Sequence, residues 1–238
     1  MIFLSAFIFI TGCRQKQEIR RPADIPSIDK TILRAKEGII SANDSVSTLL
    51  GLSLFANNNY NKLKTDSLVL PSGKYFTILI EYPNPVNNKF GIYDDTLKTL
   101  LLDRSLYGEL DESIITVNSK KYIKIDEGFT VKEINEISRI SLYEIRNDSA
   151  YLIFRTFTRF KEPGAEYTQK IIEISGNRIV TKINSSNDEL SESEDIFEFD
   201  KNSNSYVSRQ NLFTNFIKRQ LHKLPQSGSL KDNSSIDE

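Results

Sequence analysis

The stretch Ile140-Ser141-Leu142-Tyr143-Glu144-Ile145-Arg146-Asn147-Asp148-Ser149-Ala150-Tyr151-Leu152-Ile153-Phe154 reads as a β-hairpin. Its flanks are rich in β-branched, aromatic and aliphatic residues, which suit a pleated, half-buried surface. Asn147-Asp148 between them tolerates the positive φ that a two-residue turn needs to match the right-handed twist of paired strands. So short a connection forces its two strands to be antiparallel.

The same pattern extends in both directions. Upstream lie β-prone runs at 75–82, 90–93, 97–102, 114–117 and 122–125. Downstream the hairpin's second strand continues to 160, followed by runs at 167–174, 178–183, 196–199 and 206–207. Asp94-Asp95, Asn118-Ser119, Gly176-Asn177 and the 202–205 cluster mark turns between them. This spacing predicts a meander of roughly nine to eleven antiparallel strands over residues 69–208, in a sandwich, barrel-like or propeller-like sheet.

Helical patterns flank the meander. Ile32, Leu33, Ile39 and Ile40 give a partial helical period, and Asp44 or Ser45 could cap a second stretch carrying Val46, Leu49, Leu50 and Leu54. Gly38 and Gly51 each weaken this pattern by about 1 kcal/mol relative to Ala, so residues 31–68 are predicted as a helical or irregular segment. At the other end Leu212, Phe213, Phe216 and Ile217 share one face of an amphipathic helix over residues 209–225, stopped by Pro225. The polar tail 226–238 is predicted to be disordered. The fold class is therefore mainly β, an antiparallel meander with an N-terminal helical segment and one C-terminal helix.

Composition narrows the chemistry. Hydrophobic residues make up 39% of the 238, enough to build a core. A formal net charge of −1 offers no basic excess to follow a phosphate backbone, so nucleic acid is not an expected partner. The one His, His222, sits on the basic C-terminal helix, and its ordinary role there is to face solvent or the helix dipole. With one His and one Cys, neither a zinc site nor a histidine-based triad is expected, and no metal or cofactor is assigned. No nucleophile elbow, zincin motif, P-loop or dinucleotide fingerprint occurs.

Carboxylates are the abundant reactive groups. Asp94-Asp95, Asp111-Glu112 and Asp126-Glu127 recur along the meander and could serve a glycosidase or bind calcium. Their ordinary explanation is that Asp favours turns, and the acidic run 188–198 reads likewise as a solvated loop. Tyr75, Phe76, Tyr82, Tyr93, Tyr107, Phe154, Phe157, Phe160 and Tyr167 could line a carbohydrate or lipid cleft, though core packing accounts for most such rings.

At the start of the chain, nine residues from Ile2 to Ile10 contain only Ser5 as a polar residue, and Thr11-Gly12-Cys13 follows. As a helix this run spans about 14 Å, far short of a hydrocarbon core of about 30 Å. An apolar run ending in a small-residue pair and a Cys resembles the lipobox of bacterial lipoproteins. That resemblance implies a signal peptide over 1–12, acylation of Cys13 and cleavage just before it. The mature protein would then begin with a lipidated Cys and a polar tether over 13–30, interrupted by Pro22 and Pro26. No Lys or Arg precedes the apolar run, so translation is expected to start upstream of Met1. In the sorting logic of that class, Arg14 after the Cys points to the outer membrane, with the domain facing the periplasm. Arg14, Lys16, Arg20 and Arg21 would lie beside anionic headgroups.

Asp44-Ser45-Val46, Asp66-Ser67-Leu68, Asp95-Thr96-Leu97 and Asp148-Ser149-Ala150 resemble the O-glycosylation sequon that one group of Gram-negative bacteria applies to exported proteins. The resemblance marks Ser45, Ser67, Thr96 and Ser149 as acceptor sites.

These features lead to an expected lipid-anchored envelope protein, attached to the membrane through Cys13, whose β domain binds an envelope protein or glycan without catalysis. A carboxylate-dependent glycan hydrolase is the first alternative and a lipocalin-like carrier of an apolar ligand the second. Two carboxyls about 5–9 Å apart in a cleft would favour the hydrolase, and an apolar cavity the carrier.

Overall fold

The computed structural model describes residues 60–96, 98–131, 135–185, 190 and 192–223. The signal peptide expected over 1–12, the lipidation expected at Cys13, the expected tether, Ser45 and the tail, with the helical pattern up to residue 59, lie outside these residues.

The described chain is mainly β. A four-stranded sheet runs β1 (Lys62–Leu70), β2 (Gly73–Glu81), β3 (Lys89–Asp94) and β4 (Thr99–Asp103), with a single 3-10 turn, Pro85–Asn87, between β2 and β3. An eight-stranded sheet follows: β5 (Glu109–Val117), β6 (Lys120–Val131), β7 (Asn135–Arg146), β8 (Ser149–Glu162), β9 (Ala165–Ile174), β10 (Arg178–Ser185), β11 (Glu194–Asp200) and β12 (Ser205–Val207). Among the described residues one α-helix, α1 (Leu212–Lys223), follows it. Within each sheet, strands adjacent in sequence are adjacent in space and antiparallel.

The turns follow from their residues. Asn118 and Ser119 take φ of 51° and 64°, and Asn147 and Asp148 take 49° and 56°. Both residues of each pair thus adopt the left-handed region required by the tight turn that matches strand twist.

One strand differs from the sequence pattern. The β region begins at Lys62 rather than at residue 69, because β1 carries Lys62, Lys64 and Asp66 on the same face as Leu68. The reason for the two lysines is the edge of β5, which no backbone ladder covers. Lys62 and Lys64 donate through Nζ to the carbonyls of Leu110 and Glu112, each at 2.5 Å, and Leu110 N–H donates to Glu81 Oε1 at 2.7 Å.

The two sheets face one another across a shared core. Leu79, Phe90 and Ile92 from the first meet Ile123, Ile125 and Tyr143 from the second, with the Phe90 and Tyr143 rings 4.9 Å apart. Strand alternation puts Ile78, Ile80 and Tyr93 on the opposite face of the first sheet.

The eight-stranded sheet forks. Strands β8 and β9 pair only between Arg159–Glu162 and Ala165–Thr168. Beyond that the β9–β12 layer packs on β6–β8: Ile140, Leu142, Ile153 and Phe154 share a core with Ile179, Phe197 and Tyr206, and Phe154 meets Phe197 edge-on at 4.9 Å.

Helix α1 buries Phe213, Phe216 and Ile217 against Phe160, Tyr167 and Ile183. Its start is held by Asp195, whose Oδ2 accepts from Leu212 N–H at 2.7 Å and whose Oδ1 accepts the Ser208 hydroxyl. The solvated acidic loop expected over 188–198 is therefore corrected: Glu194–Asp200 is strand β11, and Asp195 is 1% exposed, satisfying one helix-terminal N–H and the Ser208 hydroxyl.

Candidate functional site

The fork between β8 and β9 opens a cleft of about 850 Å³. Opposite Ser138-Arg139 the register of β8 slips, leaving Thr158 as an extra residue, and a slip of this kind bends the strand. Asp111, Asp126, Thr158 and Arg159 line one side of the cleft, and Thr168, Gln169 and Lys170 of β9 line the other. A second hollow of about 500 Å³ continues it toward Tyr82, Pro83, Pro85 and Phe129. Both share Asn61, Glu81, Glu109, Gly128, Ser138 and Arg159, so they form one groove.

Gly128 lies at the junction. A Cβ built on it would meet no heavy atom within 4 Å, so the missing side chain leaves open space above the strand. Gly108, nearby, is glycine for a different reason. It has φ of +70° and lies so close to the Gly128 carbonyl that a Cβ would fall 2.1 Å from that oxygen. Asn88 braces the same rim, accepting from Tyr82 N–H at 2.9 Å and donating to the Gly108 carbonyl at 2.7 Å.

Charges of both signs border the groove. Lys62 pairs with Glu81 at 3.2 Å, Lys124 with Asp126 at 2.7 Å, and Arg159 with Glu166 at 2.6 Å. Glu136 is gripped by Lys161 at 2.8 Å and Arg159 at 3.0 Å, and the Lys161 hydrogen bond, first among these contacts, holds its carboxyl below the usual range. Asp111 and Asp126 are direct cross-strand partners on β5 and β6. Like charges so placed repel.

A second set of ionisable groups is closed. Glu127 receives Arg139 Nε at 2.9 Å and Nη2 at 2.6 Å, Tyr107 N–H at 3.0 Å and the Ser141 hydroxyl at 3.2 Å. Asp103 receives the Tyr143 hydroxyl at 2.6 Å, the Ser105 hydroxyl at 2.7 Å and the Arg155 guanidinium. Arg155 also reaches Ser141 at 2.8 Å, and Arg139 reaches the Ser105 carbonyl at 2.6 Å. These bonds fasten the β4–β5 crossover to β6, β7 and β8. A buried network is stable when its members are satisfied in this way.

Two carboxyls in the protein respond to pH in opposite senses. Burial alone would raise the Asp103 carboxyl, but Arg155, Tyr143 and Ser105 together hold it below its ordinary 3.8. Its stabilising contribution is complete at neutral pH and fades as pH falls below that value. Burial raises the Glu112 carboxyl above its ordinary 4.5, opposed by Thr77 and Lys64 and reinforced by Asp66 and Asp111. Its contribution is present below 4.5 and lost as pH rises. In denaturant titrations across pH, Asp103→Asn is expected to be destabilised at neutral pH and to lose the acid-side decline, whereas Glu112→Gln should be more stable than the parent at neutral pH. Identical pH profiles for parent and both variants would refute these assignments.

The sequence-derived candidates lie at separate places. Ser67 is exposed on edge strand β1, Thr96 is exposed in the β3–β4 turn, and Ser149 is half-buried at the start of β8. The Thr96 hydroxyl donates to Asp94 Oδ1 at 2.7 Å, and Asp94 also accepts from the Thr96 and Lys98 N–H groups, as a turn carboxylate does. Asp111-Glu112 and Asp126-Glu127 are not turn residues; they lie within β5 and β6, with Asp111 and Asp126 at the cleft and Glu112 and Glu127 buried. Among the described residues no group of three or more His, Cys, Asp and Glu could hold a metal ion.

The residues missed from sequence are Arg139, Arg155, Gly128 and Gln169. The first two interrupt otherwise apolar strand runs, and a lone glycine inside a strand pattern often marks a bulge or a site where something approaches the backbone. Nothing in the sequence distinguishes Gln169 from a surface glutamine. No family model, curated protein or solved structure matches the chain.

Proposed function

We propose that the protein is a lipid-anchored component of the bacterial envelope, held through Cys13 at the outer membrane and facing the periplasm, whose β domain binds a partner without transforming it. The observation that carries the binding half is the contrast between a groove lined by accessible polar side chains and a buried network whose acids are locked. Glu127 and Asp103 have their oxygens committed to fixed donors, so neither is placed to exchange a proton with a substrate. The mixed lining of the groove suits a polar partner better than the apolar ligand of a lipocalin-like carrier. The two facing sheets read as a sandwich rather than a closed barrel or propeller, since side chains and no ladder join β1 to β5. Ser67 and Thr96 are exposed enough to accept O-glycans, and Ser45 and Ser149 complete that proposal.

A glycan hydrolase remains the second reading, favoured by Asp111 opposite Asp126. Directly opposed strand residues have Cβ atoms about 4.5–5.5 Å apart, near the carboxyl spacing of about 5–5.5 Å in retaining glycosidases. The test incubates purified full chain with isolated envelope polysaccharide. Co-sedimentation without new reducing ends is expected. Release of reducing ends that disappears in Asp111→Asn and Asp126→Asn would replace the binding reading with the hydrolase.

A further inference from the structure

We propose that the groove over Gly128 binds a carbohydrate chain built from uncharged or amino-substituted sugars, held by its hydroxyl groups. This rests on the binding-module reading above and adds the location and chemical class of the ligand.

Gln169 is the first support. It is 2% exposed and lines the cleft; its Nε2 donates to Thr156 Oγ1 at 3.1 Å, while its Oε1 has no hydrogen-bond partner. A buried acceptor without a partner is unfavourable, and a ligand donor would satisfy it once the Gln169 amide, whose Oε1 is closed to the cleft surface, turned toward it. Asp111 and Asp126 face one another across β5 and β6 as acceptor-only groups, with Lys124 paired to Asp126 at 2.7 Å. A ligand rich in O–H donors suits such a lining. The bare floor at Gly128 lets it approach the sheet.

Tyr82 and Phe129 at one end of the groove offer aromatic surface of the kind that accepts the apolar face of a sugar ring. Charge excludes an anionic polymer: Glu81, Glu109, Asp111, Asp126 and Glu136 line the groove against Lys62, Arg159 and Lys170.

Calorimetric titration of the full chain with chitohexaose, cellohexaose and alginate tests the inference. At least one of the two uncharged-backbone hexaoses is expected to bind and alginate to fail. Gly128→Val, which fills open space, should weaken binding at least about tenfold, and Gln169→Leu about tenfold, the loss of one buried hydrogen bond. Circular dichroism and the unfolding midpoint of both variants should stay near those of the parent. Failure of both hexaoses, or binding indifferent to both substitutions, would overturn the carbohydrate assignment. If envelope material is nevertheless captured by the parent and not by Gly128→Val, the ligand class is wrong and the binding module stands. Hydrolysis of a bound hexaose would do the reverse.

Discussion

Arg139→Met is expected to destabilise the protein by about 3–5 kcal/mol, because removing one partner of a buried ion pair leaves its counter-charge unsatisfied. The Glu127 side chain is fully buried and that of Arg139 is 3% exposed, so water cannot substitute for the lost guanidinium. The substitution also frees the Ser105 carbonyl in the crossover. Glu127→Leu combined with Arg139→Met removes the stranded charge and should recover part of the loss. Recovery is incomplete, since the N–H of Tyr107 and the Ser141 hydroxyl then lose their acceptor. Urea titrations of the two single variants and the double one read this directly. A cost below about 1 kcal/mol for Arg139→Met would mean that the pair is solvated like a surface salt bridge.

Phe216→Ala should cost a comparable amount, about 3–5 kcal/mol, typical of deleting a buried ring. Phe216 is 1% exposed and its ring lies 4.6 Å from Tyr167 and 6.3 Å from Phe160. It ties α1 to the paired segment of β8 and β9 from which the fork opens. The loss should therefore be accompanied by faster proteolysis within 212–223. Asp195→Ala offers a control at the other end of the contact, removing the acceptor of Leu212 N–H while leaving the rings in place. If Phe216→Ala melts like the parent, the helix is not docked through these rings.

The hairpin at 140–154 was legible because local chemistry is sufficient there. Two β-prone runs and an Asn-Asp turn specify antiparallel pairing without reference to the rest of the chain. Strand β1 was not, because Lys62, Lys64 and Asp66 occupy positions that a pattern of hydrophobicity assigns to a helical or irregular segment. The partners of Lys62 and Lys64 are carbonyls on β5, far along the sequence, and no local rule locates them. The same holds for Glu127 and Arg139: adjacent across β6 and β7, they look in sequence like two solvated charges. Asp195 likewise belongs by composition to an acidic loop, yet in the structure it is a β11 residue that holds the start of α1. As for the groove, Asp111 and Asp126 were visible as candidates, but their opposition depends on the register of β5 and β6. Gln169 became conspicuous only through a missing hydrogen bond.

Membrane attachment through Cys13 is the premise of the proposed envelope role, and the intact mass of the native protein, extracted from membranes with detergent, measures it most directly. The expected species begins at Cys13 and carries acyl chains, and Cys13→Ala should release the protein to the soluble fraction, since each buried methylene of the anchor contributes about 0.8 kcal/mol. An unacylated product that retains residues 1–12 and is recovered from the cytosol would contradict the lipid anchor and the envelope role built on it.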